Sequence, residues 1–90
     1  METIIIAIRD LKADAFGKPH GVHNDATAIR TFSDEINSND KKSLISTHPH
    51  DFALYKIATY EEQTGKITPI YPPKLLINGD QCVNPQTTIV

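Results

Sequence analysis

The sequence predicts a small α+β domain in which an antiparallel sheet of about three strands packs on one helix, in the order β-α-β-β. Three observations predict it: a β-branched run near the N-terminus, a later segment with helical apolar spacing, and two strand-like segments around a glycine turn. Ninety residues suit one domain. We assign residues 1–77 to that domain and residues 78–90 to an extended C-terminal arm with little periodicity.

The first strand is predicted at residues 3–10, which are rich in isoleucine. Alternation puts Ile4, Ile6 and Ile8 on one face and Ile5 on the other. Because both faces are apolar, we expect this strand to be central in the sheet, or covered by a helix on one side and a partner on the other.

A polar loop and then a helix are predicted after the first strand. Residues 12–24 contain two glycines, a proline and two histidines, and are expected to form a long loop. Asn24 or Asp25 then caps a helix that ends near Asn37. The apolar stripe of this helix consists of Ala28, Ile29, Phe32 and Ile36.

The segment between the helix and the second strand is predicted to be extended or turned, because Pro49 disfavours helix at His48. The second strand follows at residues 52–60, where strand-forming side chains resume. Alternation along it places Tyr55, Ile57 and Thr59 on one face, and Leu54, Lys56, Ala58 and Tyr60 on the other.

A hairpin is predicted to join the second and third strands. A type I turn closes at Thr64, with Gly65 in the left-handed conformation. The return strand covers residues 67–70 and is expected at an edge of the sheet, because Pro69 cannot donate a hydrogen bond to a neighbour. Two more prolines follow, and the apolar patch at residues 75–77 either adds a short strand or docks on the domain.

Composition limits the classes of function. The chain has 9 basic and 11 acidic residues, a net charge of -2 and no long basic run, so sequence-independent coating of nucleic acid is not predicted. A local basic face, made in the fold or across a dimer, stays open. Cys82 is the only cysteine, which excludes an intrachain disulfide. The run Ile4–Ile8 is too short to cross a membrane, and we expect a cytoplasmic protein.

No residue pattern indicates catalysis, and we expect neither an enzyme nor a cofactor. The paired carboxylates at residues 34–35 and 61–62 are adjacent and splay apart. Gly65-Lys66 lacks the first glycine of a phosphate loop, and Cys82 has no evident base beside it. A metal site is the weaker alternative to solvated loop side chains. Its ligands would come from His20, His23, His48 and His50, with Asp14, Asp25 and Asp51 nearby in sequence.

Several short motifs, taken in order and spacing, resemble one family of phage proteins. They are Phe16-Gly17 before Pro19, Asn24-Asp25-x-x-Ala28-Ile29-Arg30-x-Phe32, His48-Pro49-x-Asp51-Phe52-x-Leu54-Tyr55, Glu62-x-Thr64-Gly65-Lys66, and Pro72-Pro73 before two leucines. From about Ile4 to Ile77 the chain resembles the small nonstructural protein of gokushovirus-type microviruses, phages with small circular single-stranded DNA genomes. The resemblance implies a non-virion accessory protein that acts in the host cytoplasm and helps divert genome replication toward single-stranded DNA for packaging.

Two functional hypotheses follow. In the first, the protein binds single-stranded DNA or a complex of viral replication or capsid proteins, as the resemblance implies and as the Lys-containing loop beside the helix start favours. The expected contacts are Arg9, Lys12, Lys18 and Arg30 to phosphates, with Phe16 or Tyr55 as a stacking platform. In the second, the protein is a homodimeric interaction or scaffolding module without direct DNA contact, because its core is thin and its hairpin edge is exposed.

Overall fold

The fold is dominated by one antiparallel sheet that curls into a half-barrel. The structure, a computed structural model, describes residues 2–83. Strands account for 45% of the described residues, and a single helix among them is longer than one turn. The expectation of about three strands packed on one helix is therefore wrong, because strands lie four abreast across the sheet.

The sheet is built around its first strand. The strands are β1 (Glu2–Asp10), β2 (Ala15–Phe16), β3 (His20–Val22), β4 (Phe52–Glu61) and β5 (Lys66–Asn78). β4 pairs with one side of β1, whereas β2 and β3 pair in succession with its other side. β5 pairs with β4 and forms the opposite edge of the sheet. The prediction of a central first strand is thus confirmed.

The predicted loop at residues 12–24 supplies two of these strands. Phe16 lies opposite Arg9 in the β1–β2 pair, and Val22 lies opposite Ile4 in the β1–β3 pair. Strands of two and three residues are too short to show alternation, and they form because β1 has a free edge whose backbone groups need partners.

The predicted helix is confirmed as α1 (Asp25–Ile36). The side chain of Asn24 accepts a hydrogen bond from the backbone N–H of Thr27 at 2.8 Å, which caps the first turn. The helix buries Ala28 and Phe32 against β1 and β4. Burial of this stripe fixes the helix on one face of the sheet.

A second, single-turn helix, α2 (Leu44–Thr47), lies where extended or turned chain was predicted. The hydroxyl of Ser43 accepts a hydrogen bond from the backbone N–H of Ser46 at 3.1 Å and caps the turn. Pro49 begins a 3₁₀ turn that ends at Asp51. The restriction imposed by proline acts on His48 alone, so it does not prevent the preceding turn of helix.

The hairpin between β4 and β5 closes as predicted. Gly65 has φ of 75°, and its backbone N–H donates to the carbonyl of Glu61 at 2.8 Å. β5 is longer than the predicted return strand and includes the patch at residues 75–77. Its prolines are tolerated because β5 is an edge strand.

The core lies between α1 and the sheet, and the chain after β5 completes it. Its buried members are Ile4, Ile6, Ala28, Phe32, Ile36, Phe52, Leu54 and Cys82. Residues Gly79–Cys82 form a 3₁₀ helix, and the Asn37 side-chain amide donates to the Cys82 carbonyl at 2.9 Å. The expected extended arm is therefore wrong at its start, while residues 84–90 lie outside the described residues. Within residues 2–83, no helix has the length and hydropathy to span a bilayer.

Candidate functional site

The two faces of the sheet differ in what covers them. α1 packs on the face that carries Ile4, Ile6 and Leu54. Lys56 lies on the same face, since its amine donates to the Asp25 carboxylate of α1 at 3.0 Å. Within residues 2–83, the opposite side of the sheet has no helix over it. We call it the helix-free face, and its larger side chains are Arg9, Phe16, Tyr55, Tyr60, Ile67 and Leu75.

A bulge in β4 decides which side chains reach the helix-free face. Ile5 pairs with Ala58 and Ile6 pairs with Lys56, so Ile57 is an extra residue without a partner on β1. An extra residue reverses the alternation beyond it. Tyr55 therefore shares a face with Ala58 and Tyr60, and the strict alternation predicted for this strand is wrong.

Three of the predicted site residues contact one another on the helix-free face. The rings of Phe16 and Tyr55 meet edge to face, with centroids 5.4 Å apart and an interplanar angle of 77°. The Arg9 guanidinium lies 5.6 Å from the Phe16 centroid and 6.0 Å from the Tyr55 centroid, within cation–π range. We call these three residues the Arg9 cluster. Phe16 remains 43% exposed and Arg9 33% exposed, so solvent reaches the cluster.

Asp14 neutralises the cation of the Arg9 cluster. The guanidinium of Arg9 donates to the Asp14 carboxylate. This hydrogen bond, followed by one to the Tyr55 hydroxyl, raises the pKa of Arg9 above its ordinary value, so the cation persists at every physiological pH. The carboxylate is itself 75% exposed, which leaves it open to competition by another anion.

The turn between β1 and β2 holds Asp14 in place. The carboxylate of Asp10 accepts hydrogen bonds from the backbone N–H groups of Lys12 and Ala13, at 3.0 and 3.1 Å. Asp14 has φ of 56°, a left-handed conformation that aspartate and asparagine adopt more readily than most residues. The turn thereby returns the Asp14 carboxylate to the guanidinium of Arg9.

The other three predicted contacts are placed differently. Lys12 lies in the β1–β2 turn and Lys18 in the β2–β3 connection, both exposed and both flanking β2. Neither forms a salt bridge within residues 2–83. Arg30 is exposed on α1, which packs on the opposite face of the sheet. The structure thus brings Arg9, Phe16 and Tyr55 together. Lys12 and Lys18 line clefts that also contain residues of α2, and Arg30 lies on α1.

A concave surface lies on the helix side of the sheet. It is a half-open groove of about 540 Å³ between α1 and the β1–β3 pair. Its walls are mainly apolar and include Ile6, Val22, Phe32 and Ile45. Glu35 is the acidic residue at its rim. Its lining within residues 2–83 includes His20 but no lysine or arginine, so the groove offers mainly apolar contact.

The groups considered for metal binding and catalysis are dispersed. Among residues 2–83, no three His, Cys, Asp or Glu side chains converge as a metal site would require. The His50 ring lies 3.5 Å from the Asp51 carboxylate, and the Thr47 hydroxyl lies 2.8 Å from the His48 ring. The Cys82 thiol is buried in the core. These side chains have local structural contacts.

The sequence interpretation missed two kinds of residue on the helix-free face. Asp14 was considered only as a metal ligand, although its spacing of five from Arg9 across a tight turn is a signal for a contact between them. Simple alternation places Tyr60 on the opposite face from Tyr55, because the two residues are an odd number of positions apart. The bulge at Ile57 adds one residue and so puts both tyrosines on the same face.

Comparison with known proteins identifies one family. The family model described as "Phage ORF5 protein" matches residues 3–82, which include every described strand and helix apart from Glu2 at the start of β1. A search of curated proteins gave no match, and a search of solved structures also gave none. Because the family match covers nearly the whole chain, the protein belongs to the phage ORF5 protein family.

Proposed function

We propose that this phage protein is a non-enzymatic accessory factor that binds single-stranded DNA on the helix-free face during genome replication or packaging. The observation that carries the proposal is the Arg9 cluster, in which a cation contacts two aromatic rings on an exposed sheet surface. The family match supports a phage protein. Assignment to the gokushovirus-type microviruses, and action in the host cytoplasm, belong to the proposal and rest on the motif resemblance.

The Arg9 cluster has the two elements that single-strand binding needs. Bases stack on aromatic rings without regard to sequence, and phosphates are held by nearby cations. Phe16 supplies an accessible ring, and the exposed Lys12 and Lys18 lie in the segments on either side of β2. Because the chain carries a net charge of -2, these local cations set the affinity, and we expect it to be modest.

The experiment is a titration of fluorescently labelled oligothymidylate, followed by anisotropy at low and moderate salt. With about three phosphates neutralised by Arg9, Lys12 and Lys18, the logarithm of affinity should fall with the logarithm of salt at a slope of about -2. Phe16→Ala and Tyr55→Ala should each weaken binding by about 1–3 kcal/mol. Arg30→Ala is the matched cation control and should leave binding unchanged. Absence of salt-dependent binding at low salt would remove the proposal.

A second candidate is the homodimeric interaction module, and one observation favours it. The helix-free face also exposes apolar side chains, with Ile67 59% and Leu75 44% accessible. Exposed apolar patches on a small domain commonly mark protein contacts. Two copies joined through this face would cover the Arg9 cluster, so DNA and the second copy would compete.

Sedimentation equilibrium distinguishes the second candidate. A dimer on this face should dissociate when Leu75 is changed to Glu, because the carboxylate would be buried without a partner. The matched control is Leu44→Glu on α2, an exposed leucine on the other side of the sheet. A wild-type monomer at high micromolar concentration would contradict the dimer and leave the DNA-binding proposal standing.

A further inference from the structure

We infer that Tyr60 is a second base-stacking position for the same DNA strand, created by the bulge at Ile57. This inference rests on the proposed function and extends it from one contact point to a path along the sheet. Tyr60 is half-buried near the far end of β4, beside the hairpin. Its ring belongs to the helix-free face and lies away from the Arg9 cluster.

The strand register places Tyr60 on that face. Tyr55 pairs with Ala7 of β1, and Tyr60 pairs with Thr3. Because Thr3 and Ala7 are four residues apart on a strand that is continuous there, their side chains point to the same side. β3 passes close to the Thr3 side chain at Gly21. A Cβ placed on Gly21 would lie only 3.2 Å from the Thr3 methyl group.

The spacing of the two tyrosines sets the length of strand that can reach both. Four residues of antiparallel strand span about 14 Å. Successive phosphates of one strand in stacked DNA are only about 3.4 Å apart along the axis. Two adjacent stacked bases therefore cannot cover both rings, and about three nucleotides must lie between the two that stack on them.

The two ends of this path differ in charge. The first end carries the Arg9 cation, and Lys12 and Lys18 lie in the exposed segments on either side of β2. At the Tyr60 end, the Thr3 hydroxyl donates to the Glu62 carboxylate at 2.6 Å. A carboxylate there repels phosphate, so Tyr60 contributes base stacking without ionic contacts. Loss of Tyr60 should therefore lower affinity without changing its dependence on salt.

The test compares wild type and Tyr60→Ala with oligothymidylates of about three, six and nine nucleotides. In wild type, affinity should rise between the shortest and the middle length, when the strand first reaches both tyrosines. Tyr60→Ala should remove that rise, about tenfold, and leave binding of the shortest oligonucleotide and the salt slope unchanged. Tyr71→Ala is the matched tyrosine control, since Tyr71 is 90% exposed in a part of β5 that has no paired residue on β4.

The outcomes separate this inference from the function on which it rests. If no oligonucleotide binds wild type at low salt, the proposed function fails and Tyr60 loses its role with it. If wild type binds but Tyr60→Ala keeps the same length dependence, the second position is wrong and the Arg9 cluster stands. If Tyr60→Ala weakens self-association in sedimentation and leaves DNA affinity intact, the ring serves a protein contact and the inference is overturned.

Discussion

The carboxylate of Asp14 accepts a hydrogen bond from the guanidinium of Arg9. If the proposed DNA binding holds, a phosphate must compete with this carboxylate for one cation. The expected consequence is that Asp14 lowers the affinity for DNA.

Asp14→Asn should therefore strengthen binding of single-stranded DNA by several-fold, because it removes the competing charge. Asparagine also accepts the left-handed backbone found at this position, so the turn should be preserved. Anisotropy titration at low salt measures the change. Asp34→Asn on α1 makes the same change in net charge away from the site. An equal gain in both variants would show that net charge, and not the contact with Arg9, is responsible.

Gly79→Ala should destabilise the fold by more than about 3 kcal/mol. A Cβ at Gly79 would lie 1.9 Å from the Pro49 carbonyl oxygen and 2.8 Å from that of Phe52, so the backbone would have to move. Urea unfolding followed by circular dichroism measures the loss. The control is Gly17→Ala, whose Cβ would meet the Ile8 carbonyl oxygen at 3.4 Å and should cost less than about 1 kcal/mol. Similar stability in the two variants would contradict the packing described here.

Asn24→Ala should cost about 1 kcal/mol, because it removes the cap of α1 and leaves the Thr27 N–H without its acceptor. Asn24→Asp keeps an acceptor at the same position and should retain most of the stability. Thermal unfolding of the two variants beside wild type gives the comparison. A loss of equal size in both would mean that the cap is not the source of the effect.

The free energy of unfolding should decrease at acidic pH, because Glu61 becomes protonated. The backbone N–H of Gln63 donates to the Glu61 carboxylate at 3.1 Å and lowers the pKa of this group below its ordinary value of 4.5. A lowered pKa in the folded state stabilises the protein fully above pH 4.5, and the contribution disappears as the pH falls through the lowered value. An NMR titration of the carboxyl carbon should give a midpoint below 4.5. Glu61→Gln should lose the corresponding pH dependence, and a midpoint at or above 4.5 would refute the contact.

Local signals in the sequence were sufficient for α1 and for the hairpin. Asn24 caps the helix, and Gly65 supplies the left-handed residue of the turn, as predicted. Both depend on residues a few positions apart. The same is true of β1, whose isoleucine run identifies a strand wherever it lies in the sheet.

The structural features that the sequence did not predict depend on contacts between distant segments. β2 and β3 form because they find the free side of β1, and Gly79 and Cys82 enter the core only when β5 has returned the chain to α1. Hydrophobic periodicity within one segment does not predict contacts between distant segments. In the candidate site, residue types predicted Arg9, Phe16 and Tyr55, whereas the place of Tyr60 follows from a bulge that alternation alone does not reveal.

Binding of single-stranded DNA by the helix-free face is open to a residue-by-residue test. The most direct measurement is an NMR titration of the labelled protein with a short oligothymidylate at low salt, with backbone and aromatic signals followed together. We expect the largest chemical shift changes at four residues: Arg9, Phe16, Tyr55 and Tyr60. The signals of α1 and of the groove beside it should change little. Shifts concentrated on α1 around Arg30, or no shifts at all, would contradict it.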